Sequence, residues 1–184
     1  MVQDPPRAPI IQSVDLSVPF APVTFDQGAR LQLAYEIHVT NFQPGDVTLA
    51  SASVYTPAGE TLAAYRGDDL RRRIVRPGLR HDHPTPDVVG AGGRAVVLFW
   101  FELPPGTGAP GSVTHTVELD VARPGGAMRT VVTGGAAPVS TRAVALLDAP
   151  LAGGPWVAIY DPLLKGGHRT AFYTVDGRAR IPGR

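Results

Sequence analysis

The stretch "LQLAYEIHV", residues 31–39, puts Leu31, Leu33, Tyr35, Ile37 and Val39 on one parity, and Gln32, Glu36 and His38, followed by Thr40, on the other. A period of two is the spacing of a β-strand with one face on a core and one in water. "VTHTVELDV", residues 113–121, repeats it, with Val113, His115, Val117, Leu119 and Val121 set against Thr114, Thr116, Glu118 and Asp120. Between the two lies "RAVVLFWFEL", residues 94–103, apolar on both parities, which predicts a central strand covered on both faces.

Further strands are expected in "IIQSVDLSV", "DVTLASASVY", "TLAAYR" and "MRTVVT", divided by the turn signals "NFQPGD", "TPAGE", "LPPGTGAPG" and "RPGGA". Helical periodicity is weak everywhere, and "DDLRRRIVRPGLR" is its best candidate. From Gly67 to Gly93 the apolar pattern fades and Arg, Pro, Asp and His dominate, so a long inter-strand connection is expected there. The fold class that follows is all-β: an antiparallel, immunoglobulin-like β-sandwich of about seven strands over residues 1–142. Residues 143–184 then form a C-terminal arm or connector packed on the sandwich, with Trp156 expected to be buried against it. A short hairpin turns at Val175-Asp176-Gly177.

Composition narrows the function classes. The chain has 184 residues, 43% of them hydrophobic, and a formal net charge of +1, which suits one globular domain with an appendage and gives nucleic acid no electrostatic footing. The 21 Gly and 19 Pro fit many turns and few helices. Sixteen arginines stand beside one lysine, Lys165, the bias of a GC-rich bacterial genome. Without cysteine there is no disulfide framework, no thiolate nucleophile and no cysteine-based zinc site. No apolar run approaches the roughly 20 residues of a membrane-spanning helix. The start, "MVQDPPRAPI", is not a signal peptide, so a periplasmic or extracellular location implies a signal already removed.

No constellation amounts to a catalytic centre. "GTGAPG" matches G-x-G-x-x-G through Gly106, Gly108 and Gly111. A strand follows instead of a helix, and Pro110 removes an N–H group, so it reads as a hairpin loop and no nucleotide cofactor is expected. His81 and His83 flank Asp82 and could share a metal ion, but zinc needs three or four ligands, and His38, His115 and His168 lie on other elements. His115 and Asp120, five residues apart in a strand, point to opposite faces, which leaves His115 as a satisfied core or edge histidine. Arg71, Arg72 and Arg73 form a basic cluster with Arg76 and Arg80. Asp68, Asp69 and Asp82 flank it, so it reads as a salt-bridged loop or as a seat for an anionic polymer. Trp156, Tyr160, Phe172 and Tyr173 read as anchors of the arm, with a stacking platform for sugars as the alternative.

Taken together, "YEIHVTNFQPGDVTLASASVYTPAGETLAAYRGDDL", "GGRAVVLFWFELP", "THTVELDV" and the order "GGPWVAIYD…GGHRTAFYTVDGRARIPGR" resemble the region that precedes the catalytic domain in bacterial lysostaphin-type (LytM-like) zinc metallopeptidases. The resemblance runs from Leu31 to Arg184. Gly154, Pro155 and Trp156 match the arm, His168 and Arg169 match a His-Arg step, and Arg184 stands at the threshold of the peptidase. It implies that the family's zinc ligands, from an H-x-x-x-D motif and a later H-x-H, belong to a domain that would follow. His81-Asp82-His83 is then a chance match to the second motif, and no catalytic residue carries over. The expected role is a non-catalytic accessory module, not itself an enzyme, that positions or regulates a peptidase domain at the cell envelope. The alternative is a stand-alone module that binds cell-wall glycan or another anionic polymer through Arg71, Arg72, Arg73 or the aromatic arm. A small metalloenzyme around His81 and His83 is the third reading.

Overall fold

The computed structural model describes residues 14–79, 83–145, 151–157 and 173–180. In chain order the strands are β1 (Val14–Ser17), β2 (Val23–Gln27), β3 (Arg30–Asn41), β4 (Val47–Tyr55), β5 (Thr61–Arg66), β6 (Ile74–Val75), β7 (Val88–Val89), β8 (Arg94–Glu102), β9 (Ser112–Arg123), β10 (Gly126–Pro138), β11 (Tyr173–Val175) and β12 (Arg178–Arg180). A short helix, α1 (Gly67–Arg71), follows β5. The first sheet runs β1-β3-β8-β6, with β2 also paired to β3; the second runs β10-β9-β4-β5, with β7 paired to β4. Every pairing is antiparallel. The molecule is an all-β sandwich, as its alternating pattern predicts.

The core forms where the expected apolar faces meet. Leu33, Tyr35, Ile37 and Val39 of β3, with Ala95, Val97 and Phe99 of β8, face Val47, Leu49, Ala52 and Val54 of β4 and Val113, Val117, Leu119 and Val121 of β9. Burying a side chain such as Phe99 or Leu33 contributes about 2–3 kcal/mol. Leu49 and Ala52 share the core face although they are three residues apart, because the β4–β9 register shifts between Leu49 and Ser51. A one-residue bulge restores the parity that strict alternation would lose.

Three expectations change. The polar row of β3 is not wet: Gln32, Glu36, His38 and Thr40 are buried on the sheet's outer face and pack beside β8. The other face of β8 is covered only in part, since Val96 is fully buried while Trp100 is 46% exposed. "LPPGTGAPG" is not a hairpin loop, because β8 and β9 belong to different sheets and residues 103–111 cross the end of the sandwich between them. Leu103 plugs that end, buried and with its N–H on the Leu31 carbonyl. Strand β2 escaped the sequence pattern because "VTFDQ" is short and only half-buried.

The long connection from Gly67 to Gly93 alternates between layers. It leaves β5 of the second sheet, lends β6 to the first, returns β7 to the second and enters β8 of the first. Side-chain bonds to backbone carbonyls help hold it. Asn41 donates from Nδ2 to the carbonyls of Gly45 (2.8 Å) and Val89 (2.9 Å) and accepts at Oδ1 from the Gln43 N–H (2.8 Å). Arg76 donates to the carbonyls of Arg94, Pro86 and Val88. At the tight return before β8, Gly93 has no room for a side chain: a Cβ there would lie 2.9 Å from the Gly90 carbonyl. Among the described residues no helix is long and apolar enough to cross a membrane. Near the C-terminus, β11 and β12 form the expected hairpin, closed by Asp176 (φ 50°) and Gly177 (φ 72°) in the left-handed pair that a two-residue Asp-Gly turn uses.

Because Asn41 is fully buried and makes all three bonds, Asn41→Ala is expected to cost about 3 kcal/mol. Urea denaturation measures this, and a loss below about 1 kcal/mol would show that the connection is held without it.

Candidate functional site

The chemistry-bearing side chains sort into a sealed interior pair, a buried row on the first sheet, a charged turn and a set of exposed aromatics. In the interior, the Tyr35 hydroxyl lies 2.7 Å from His115 Nε2, and His115 Nδ1 lies 3.0 Å from the Gly135 carbonyl. The carbonyl can only accept, so Nδ1 carries the proton and Nε2 accepts from the tyrosine, which makes the imidazole neutral. Gly135 adopts φ +61°, and a Cβ there would lie 3.3 Å from His115 Nδ1, so the approach of this carbonyl relies on glycine. Burial pushes the Tyr35 phenol well above its usual range. Burial also depresses His115 to about 4, partly opposed by its bonds to the Gly135 and Gly134 backbone. His115 is thus the satisfied core histidine that its parity implies, and Asp120 lies on the opposite face, bound to Arg129.

On the outer face of the first sheet, Arg94 donates from Nε to Thr40 Oγ1 (3.1 Å) and from Nη1 to His38 Nδ1 (3.5 Å), and His38 Nε2 donates to Glu36 Oε1 (3.2 Å). The row comes from neighbouring positions on β3 and β8, where Thr40 pairs with Arg94, His38 with Val96 and Glu36 with Leu98. Both imidazole nitrogens are engaged, so this histidine is a structural link in the row.

The arginine cluster sits on and after α1. Arg71 reaches Asp87 (3.1 Å) and Asp68 (3.6 Å), Arg72 reaches Asp69 (3.6 Å), and Arg73 reaches Asp69 (3.4 Å). The Arg73 guanidinium also lies 3.9 Å over the Tyr65 ring, and its carbonyl accepts the Leu98 N–H. Each guanidinium therefore has a carboxylate of its own chain, and Arg72 is the most open of the three. Asp87 is buried, and of its two oxygens Oδ2 takes the Arg71 bond.

Among the described residues no group of three or more His, Asp or Glu could hold a metal ion. H-x-x-x-D spacing does occur within the chain, at His83 and Asp87. Asp87 is tied to Arg71, and His83 Nδ1 accepts the Thr85 N–H. His81, Tyr160, His168 and Arg169 lie outside the described residues. Trp156 overturns the expectation of burial against the sandwich: it is 62% exposed, its neighbour Val157 is 84% exposed, and its indole N–H reaches the Ala152 carbonyl of the same arm (3.3 Å). Residues 151–157 are all exposed, so the described part of the arm around the indole does not bury it.

Sequence patterning missed a second aromatic patch. Phe25 meets Trp100 edge-on, with centroids 5.8 Å apart, diagonally across β3, where Gln32 pairs with Phe25 and Ala34 with Trp100. Beside them Arg30 and Glu102 form an exposed ion pair at 3.0 Å. The patch is assembled across three strands, so its only trace in the sequence is the alternation that sets Trp100 and Glu102 on one face.

No protein-family model matches the chain, and no curated protein matches it. Among solved structures, one titled "X-ray structure of Northeast Structural Genomics Consortium target SoR45" is similar, with 11% identity, 77% of this chain and 97% of that chain covered, and a TM-score of 0.42.

With His115 depressed from 6.5 to about 4, both folded and unfolded chains hold it neutral above pH 6.5. Below that pH only the unfolded chain takes up the proton, so stability falls until about pH 4, by about 3 kcal/mol in all. Urea denaturation between pH 7.5 and pH 4 is expected to show this slope, and His115→Gln is expected to flatten it by about one proton. Separately, Arg71→Ser strands the buried Asp87 and is expected to cost about 1–2 kcal/mol, against about 0.5 kcal/mol or less for Arg72→Ser, as read from thermal melts.

Proposed function

We propose that this chain is a non-catalytic accessory β-sandwich module of a peptidase-like system at the bacterial envelope, periplasmic or extracellular, which positions or regulates a catalytic domain. The observation that carries this reading is the exposed arm. After Ser140, whose N–H bonds the Pro22 carbonyl at the edge of the sandwich, the described residues 151–157 are all exposed, Trp156 and Val157 among them. Exposed aromatic and apolar side chains on an arm suit coupling to a neighbouring domain, where they become buried anchors. The likeness of "GGPWVAIYD" to the arm of lysostaphin-type proteins supports the same role.

The second reading, a stand-alone glycan-binding module, is favoured by the Phe25–Trp100 patch. There an exposed indole stands beside the hydrogen-bonding groups of Arg30 and Glu102. The arginine cluster supports an anionic polymer less well, because its guanidinium groups already face Asp68, Asp69 and Asp87.

One set of variants separates the readings. A purified lysostaphin-type peptidase domain, added in trans, is expected to bind the wild-type chain in calorimetry and to lose at least about tenfold in affinity to Trp156→Ala, but not to Trp100→Ala. Sedimentation with purified cell wall that depends on Trp100 or Arg72, with no binding to the peptidase domain, would instead establish the glycan or polymer reading and overturn the accessory one.

A further inference from the structure

We propose that the open edge of β10 pairs with β10 of a second copy of this chain, joining the two second sheets into one continuous antiparallel sheet across a two-fold axis. Strand β10 is 13 residues long, and its sheet ends on it: β9 takes one edge, and among the described residues no strand takes the other. β1 approaches the later half, where Leu16 lies beside Gly134 and Gly135. From Ala127 to Thr133 the side chains are largely exposed, with Met128 at 49% and Val131 at 58%.

An unpaired edge is a template for another strand, and proteins blunt such edges with lysine, proline, bulges or brevity. None of these devices occurs in "AMRTVVT", residues 127–133; the register shift of β10 falls later, between Gly134 and Ala137. The one charge in the segment, Arg129, is held by Asp120 and Glu118 of its own chain, so the edge carries no uncompensated charge to repel a like edge. β-Branched Thr130, Val131, Val132 and Thr133 make the segment a strong strand former.

The occupant and the register follow from the same residues. An antiparallel two-fold pairing centred on Val131 sets that half-exposed valine against its own mate and Arg129 against Thr133 of the second copy. Each arginine keeps its own carboxylates. Centring on Arg129 would oppose two like charges, which is unfavourable. The Val131-centred pairing extends the order β5-β4-β9-β10 through the axis into its mirror sequence of strands. About seven residues per strand make a small interface, so dissociation is expected in the range of roughly 1–100 µM.

Sedimentation velocity of the 184-residue chain over roughly 1–200 µM is expected to show a concentration-dependent dimer, and Val131→Lys is expected to remain monomeric with an unchanged melting temperature. The chain has no cysteine, which permits a second readout of register: Val131→Cys is expected to oxidise to a disulfide dimer at least about tenfold faster than Thr61→Cys, an exposed position on the opposite edge strand. A wild type that stays monomeric throughout overturns the proposal. So does a dimer that survives Val131→Lys, or a Val131→Cys variant that cross-links no faster than Thr61→Cys.

Discussion

The hydrogen bond from Tyr35 to His115 crosses the buried interior between the two sheets and ties β3 to β9. Tyr35 comes from β3 and His115 from β9, so the bond adds a directional link to the non-directional packing between the layers, as Asn41 does from β3 to Val89 of β7. Its far end, the Gly135 carbonyl, needs a left-handed glycine, which falls where β10 shifts register. Phe99 packs against both partners, stacked on Tyr35 at 5.2 Å and tilted against His115 at 5.4 Å. A buried polar pair left half satisfied would destabilise the core, and this one is satisfied at each polar atom.

The same economy governs the charged residues. Arg76 holds backbone carbonyls, Arg73 covers Tyr65, Arg71 compensates Asp87, and Arg129 bridges Asp120 and Glu118. These four arginines fasten loops and strands, and a planar guanidinium can hold several acceptors at once. Among the described residues, exposed aromatic and apolar groups include Trp156 on the arm, Trp100 beside Phe25, and Met128 and Val131 on the edge of β10. These lie on separate parts of the chain.

By itself the sequence determined the fold class. The alternation of "LQLAYEIHV" and "VTHTVELDV" appears intact as the inner faces of β3 and β9, His115 falls on the apolar parity of its strand, and Asp176-Gly177 closes a hairpin. These properties are local, set by the two-residue period of a strand and by the left-handed conformations that glycine and aspartate tolerate. Tertiary structure alone decided what covers each face and where each charge ends. Gln32, Glu36, His38 and Thr40 read as solvated yet are buried, Trp100 reads as covered yet stands half open, and Trp156 reads as an anchor yet is exposed. Burial depends on strand register and on residues remote in the chain, so a pattern that specifies which side chains share a face cannot specify what that face meets.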